Sequence, residues 1–139
     1  MNDVQRYGPW ALVTGASDGI GRALSQHLAA QGLNVVLVAR RQHLLDEVAA
    51  GIRRRTGSET RTVAVDLTDA GAAQAIFDAT ADVEVGMLVN CAGGDPNYRA
   101  FLSSPVSAAE ALVLALARKN STEVVAYGTE AGQFQEAGN

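Results

Sequence analysis

Apolar positions along the 139-residue chain fall into short runs whose period alternates between that of strands and that of helices. Trp10 to Thr14 is a continuous apolar stretch running into a glycine-rich turn, the pattern of a strand buried on both faces. From Gly19 the period lengthens: Ile20, Ala23, Leu24, His27 and Leu28 recur at helical spacing, and Gly32 is placed to end the helix. Leu33 to Ala39 is β-branched and apolar, and predicts a second strand. Leu45, Val48, Ala49 and Ile52 then mark a second helix that stops at Gly57.

The alternation continues. Arg61 to Val65 predicts a third strand, Ala72, Ala75, Ile76 and Ala79 a third helix, and Val85 to Asn90 a fourth strand. Cys91 to Pro105 is rich in Gly, Pro, Asn and Ser and predicts a long functional or mobile loop. Ala109, Leu112, Val113 and Leu116 mark one more helix, Glu123 to Tyr127 one more strand, and the remainder to Asn139 a polar tail. Strands alternating with helices require parallel pairing through right-handed crossovers. The expected fold is therefore α/β: an open, doubly wound parallel sheet of about five strands with helices on both faces. Residues 1–139 are expected to form one domain, because a chain of this length supports a single ordinary core.

Composition narrows the function classes. The net charge of −4 disfavours non-specific binding to nucleic acid or to an anionic membrane, so any anion site must be built locally. No apolar run approaches the roughly 20 residues that span a bilayer, and Met1 to Trp10 carries no apolar signal core. Cys91 is the single cysteine; no disulfide can form within the chain, and a reducing, cytoplasmic setting is expected.

The first strand–helix junction carries the main chemical signal. In Thr14-Gly15-Ala16-Ser17-Asp18-Gly19-Ile20-Gly21 the glycines allow a sharp bend, close approach of backbone N–H groups to a ligand, and a helix start facing a diphosphate. The spacing Gly-x-x-x-Gly-x-Gly differs from Gly-x-Gly-x-x-Gly and from a P-loop, whose Gly-Lys-Ser/Thr ending is absent. Just past the second strand, where an NAD site places an acidic residue, stand Arg40 and Arg41. A guanidinium pairs with a 2′-phosphate that a carboxylate would repel, so NADP is expected over NAD; the alternative is a pair of solvated arginines opening a helix.

These turn residues, with Asp66-Leu67 after the third strand and Asn90-Cys91-Ala92-Gly93 after the fourth, resemble the short-chain dehydrogenase/reductase family. The resemblance covers about residues 8–105, leaves 106–139 as a divergent segment, and puts Cys91 where the family has a second Asn. It implies a Rossmann-like fold, Asp66 beside the adenine with Leu67 next to it in the motif, and Asn90, Ala92 and Gly93 lining the adenosine and its ribose. The residues expected to bind cofactor are thus Gly15, Ser17, Asp18, Gly19, Ile20, Gly21, Arg40, Arg41, Asp66, Leu67, Asn90, Ala92 and Gly93. Read without the family, Asp66 serves equally well as an N-cap for the following helix.

Other candidates read structurally. Arg53, Arg54 and Arg55 suit the last turn of a helix, His27 a packing role on its apolar stripe, and Cys91 a small core residue; no ligand set has metal-site spacing. The family's Tyr-x-x-x-Lys proton relay is not found: Lys119 is the one lysine, and Tyr7, Tyr98 and Tyr127 are followed four residues later by Ala11, Leu102 and Ala131. No catalytic residue is therefore assigned. The expected function is NADP(H) binding by a truncated oxidoreductase-like domain with little carbonyl-reductase activity alone, acting on a small carbonyl or alcohol only if the proton comes from elsewhere. The alternative is a non-catalytic cofactor-binding or interaction module that self-associates through a sheet edge left at Glu123 to Tyr127.

Overall fold

The computed structural model describes residues 7–67, 69, 71–91, 123–127 and 134–137, the last two segments through their backbone pairing. The elements are β1 (Trp10–Thr14), α1 (Gly19–Ala30), β2 (Asn34–Ala39), α2 (Gln42–Thr56), β3 (Thr60–Ala64), α3 (Ala72–Ala79), β4 (Val85–Asn90), β5 (Glu123–Tyr127) and β6 (Phe134–Ala137). They build one six-stranded sheet in the order β3-β2-β1-β4-β5-β6. The first five strands run parallel, as the alternating periods require, and β6 pairs antiparallel with β5.

Side-chain alternation along the strands creates two cores. Ala11, Val13, Val35, Leu37, Met87 and Val89 face α1 and α2, where they meet Leu28, Ala29, Leu45, Val48, Ala49 and Ile52. The opposite face, from Trp10, Leu12, Val36, Val38 and Leu88, packs against Ala73 and Ile76 of α3. Complete burial of a leucine or valine stabilises by about 1.5–3 kcal/mol, and Leu12, Leu37, Val36 and Leu88 are all fully buried. The sheet is thus held from both sides, and its carboxyl edge is free to carry loops.

Four expectations are corrected. The tail beyond Tyr127 contains a sixth strand, so Glu123–Tyr127 is not the outer edge: β6 covers it. An edge strand buries little and needs no apolar run, which is why Phe134–Ala137 reads as polar tail. His27 is exposed, because the buried stripe of α1 is Gly21, Ser25, Leu28 and Ala29. In α3 the buried set is Ala72, Ala73 and Ile76, while Ala75 and Ala79 face outward. Asp66 does not cap α3, whose N-cap is Gly71. The loop expected beyond Cys91 and the helix expected around Ala109 to Leu116 lie outside the described residues.

The amino edge carries a device absent from the sequence reading. Arg61 of β3 forms a two-pronged ion pair with Asp82, with Nη2 2.6 Å from Oδ2, and lies 5.5 Å over the Trp10 ring. The hydrogen bond to Asp82 is the main cause that holds the Arg61 guanidinium above its ordinary pKa. With Asp82 largely exposed, this pair contributes at most about 1 kcal/mol.

Candidate cofactor site

Between β3 and β4 the chain crosses to the other side of β1, which makes the carboxyl ends of β1 and β4 a topological switch point, where ligands bind in open α/β sheets. The strand tips there are tied together. The Ala16 amide donates to the Val38 carbonyl at 3.2 Å, the Val65 amide to Ala39 at 2.9 Å, and the Cys91 amide to Thr14 at 3.2 Å. The buried Thr14 hydroxyl donates to Oδ1 of the equally buried Asn90.

On this rim sits the glycine turn. Gly19 opens α1 with φ 54°, a left-handed conformation that side-chain-bearing residues seldom adopt. Gly21 is needed for another reason: a Cβ there would lie 2.1 Å from the Gly15 carbonyl oxygen, so the helix packs directly on the turn. Ser25 braces the same turn by donating to the Gly21 carbonyl at 2.7 Å. Asp18 is the N-cap, and its carboxylate accepts the Gly19 amide at 2.7 Å. Among the described residues the Ile20 and Gly21 amides have no carbonyl behind them, as expected of a first helical turn. Ile20 is 61% exposed, a large apolar side chain left open beside those donors.

Arg40, the first residue beyond β2, lines an open cleft of about 470 Å³ together with Ala64, Val65, Asp66, Asp69 and the start of α3. The lining sets one cation, Arg40, beside two carboxylates, Asp66 and Asp69, and the apolar side chains of Ala64, Val65, Ala72 and Ala75. Arg41 is exposed, serves α2 as N-cap through its backbone, and is not among the cleft residues. Leu67 packs on the α3 core instead of lining the cleft. Asn90 has its side-chain oxygen engaged by Thr14. Ala92 and Gly93 lie outside the described residues. Asp69 was not foreseen; its place three residues past Asp66, in the turn before α3, is the only hint in the sequence.

Cys91 is half-buried, and burial pushes its thiol up to about 11 from an ordinary 9.0. At neutral pH it is a protonated, unreactive side chain packed beside the first core. Arg53, Arg54 and Arg55 occupy the exposed last turn of α2, with Arg53 donating to the Thr60 hydroxyl at 2.6 Å. Among the described residues no group of three His, Cys, Asp or Glu could hold a metal ion, and no helix is long and apolar enough to cross a membrane.

A family model described as short chain dehydrogenase matches residues 9–137. The chain belongs to the short-chain dehydrogenase family. It is 41% identical over 88 residues to a 7beta-hydroxysteroid dehydrogenase of Clostridium sardiniense, an alignment covering 63% of this chain and 34% of that protein. It is 42% identical over 100 residues to human 17-beta-hydroxysteroid dehydrogenase type 3, covering 70% and 32% respectively. Among solved structures it resembles L-sorbose reductase of Gluconobacter frateurii complexed with NADPH and L-sorbose, with TM-score 0.70 and 29% identity over 81% of this chain and 48% of that one. A short-chain dehydrogenase of Sphingobium yanoikuyae in complex with NADPH gives TM-score 0.66 and 28% identity, covering 80% and 48%. This short-chain dehydrogenase chain thus spans about a third of the length of the curated relatives it matches. Arg40, Asp66 and the glycine turn all fall within the family match.

Proposed function

We propose that this chain is the nucleotide-binding part of an NADP(H)-dependent oxidoreductase. The observation that carries the reading is the bare turn from Gly15 to Gly21, packed with no room for a side chain at Gly21 and opening α1 at the switch point of the sheet. There the free amides of the first helical turn and the helix dipole favour a diphosphate. Arg40 would pair with the 2′-phosphate, and the apolar wall between Arg40 and Asp66 would take the adenine. The exposed Ile20 would be covered by the bound dinucleotide. Two family members whose structures contain NADPH support the cofactor class.

The nicotinamide supplies hydride chemistry when bound; the protein's own contribution is to hold and orient it. Proton delivery to a carbonyl oxygen needs an acid of suitable pKa within hydrogen-bond reach. No tyrosine in these 139 residues has a lysine four positions on. The chain alone is accordingly expected to bind cofactor while turning over ketones and aldehydes poorly or not at all.

Titration with NADPH, followed by its fluorescence, tests the proposal. Saturable binding below about 1 mM, within the usual range for cofactors and substrates, is expected. A folded protein, verified by circular dichroism, that gives no saturation there would refute it.

A further inference from the structure

The acidic cap of α1 has a consequence for the cofactor site. Asp18 is exposed, and its carboxylate already occupies the Gly19 amide at 2.7 Å, at the helix start whose donors the diphosphate requires. The flanking Gly15 and Gly19 both have positive φ and leave the bend bare, and although Arg22 lies four residues past Asp18, the two form no ion pair. Two anions would then stand at one helix start, Asp18 on the Gly19 amide and the diphosphate at the neighbouring Ile20 and Gly21 amides. We infer that Asp18 acts as a built-in partial stand-in for the diphosphate, engaging the Gly19 amide when the site is empty and lowering affinity for any dinucleotide that binds beside it or displaces it. This inference rests on the cofactor reading above, and makes Asp18 a determinant of affinity and release instead of an attractive ligand.

Chemically, the arrangement resembles any anion site already holding an internal carboxylate. A second anion either turns the Asp18 side chain out or settles beside it and shares the Ile20 and Gly21 amides. Both routes bring negative charges together, and like charges in contact oppose association. The effect is tempered because Asp18 is exposed to water and salt. Since the competition is for the diphosphate, NADPH and NADH should be affected alike, whereas any effect at Arg40 is confined to the 2′-phosphate.

The variant Asp18→Asn removes the charge and keeps an oxygen able to cap Gly19, since Asn and Asp are comparable N-caps. Asp18→Ser is the second variant, retaining a capping oxygen on a shorter side chain. Binding of NADPH and NADH to both variants and the parent protein is measured at about 0.05 M and about 0.5 M salt, where screening lengths differ several-fold. The expected result is tighter binding of both nucleotides at low salt, by about fivefold, the size of one water-screened contact between unit charges about 4 Å apart. At high salt the gain should shrink below about twofold. Unchanged or weaker binding by both variants, with the parent protein binding normally, overturns the inference and leaves the cofactor reading standing. A gain confined to NADPH overturns it too, because it would place the repulsion at the 2′-phosphate. Absence of binding by the parent and both variants overturns the cofactor reading itself, and this inference with it.

Discussion

The same substitution, glycine to alanine, is expected to have opposite effects in the two long helices. At Gly21 the added Cβ would lie 2.1 Å from the Gly15 carbonyl oxygen, 2.7 Å from its carbon and 3.2 Å from the Ala16 nitrogen. All three are backbone atoms, so no side chain can swing aside; the helix start and the turn must separate by more than about 1 Å to restore ordinary contact. Overpacking of this kind costs about 1–3 kcal/mol, against which the helix-propensity gain of replacing glycine is at most about 1 kcal/mol. Gly21→Ala should therefore destabilise by about 1–2 kcal/mol. At Gly51, in α2, the only atom near an added Cβ is the Arg54 guanidinium nitrogen at 4.0 Å, and the backbone is helical. Gly51→Ala should stabilise by about 0.5–1 kcal/mol, through the smaller entropy of the unfolded chain. Thermal unfolding resolves the two, since 1 kcal/mol moves Tm by about 4 °C in a chain of this size. The cofactor reading adds a further split. Gly21→Ala displaces the amides by more than about 1 Å and should weaken NADPH binding at least tenfold, whereas Gly51→Ala should leave it unchanged. A Gly21→Ala protein as stable as the parent, or one that binds NADPH equally well, would refute the packing argument.

Arg40→Ala should weaken NADPH about tenfold and leave NADH within about twofold, because only the 2′-phosphate loses its partner; calorimetric titration of both nucleotides decides. Thr14→Val keeps the shape of β1 but strips the buried donor from Asn90 Oδ1, and should cost about 1–3 kcal/mol in denaturant unfolding. The Cys91 thiol, held at about 11 against an ordinary 9.0, should react with a disulfide reagent far more slowly in the native protein than in the unfolded one at about pH 8. Folding favours its protonated form, so its contribution to stability is fully present below about pH 9 and declines as the pH rises towards 11; native labelling whose rate levels off near pH 9 would contradict this.

Where the sequence was legible, a side chain carried the signal. β1 and β4 begin and end where their apolar runs do, since both strands are buried on two faces between turn residues. α1 was misread in phase because its buried stripe contains Gly21 and Ser25, one with no side chain and the other with a hydroxyl returned to its own helix at Gly21. Neither residue registers as apolar, so the pattern drew in His27, which the structure leaves in solvent. In α3 the alanines at 72, 73, 75 and 79 offer several stripes of nearly equal weight, and only the seat of Ile76 on the sheet selects one. The places of the glycine turn and Arg40, directly after β1 and β2, were legible because both were read by their position after a strand. Asp69 was not, for an acidic residue in a turn before a helix has an ordinary structural role. The sixth strand was invisible because pairing at a sheet edge is a property of the backbone.

If the proposed function holds, the strand tips explain how a cofactor site can be built in a chain that spans about a third of its relatives' length. Ala16 is tied to Val38, Val65 to Ala39 and Cys91 to Thr14, so backbone bonds alone join β3, β2, β1 and β4 into one continuous rim. The amides at the start of α1 are aimed from that rim, and their direction is set by strand pairing and by the contact of Gly21 on Gly15. On the proposed function, a binding site made from main-chain donors would form whenever the sheet forms, and its affinity would be tuned by a few exposed charges such as Asp18 and Arg40. Proton transfer differs in kind, because it needs particular side chains whose pKa values are matched to the task. Substitutions at the strand tips should consequently change stability and cofactor affinity together. Changes at Arg40, or at Asp18 where a capping oxygen is kept, should move affinity while leaving the unfolding transition almost where it was.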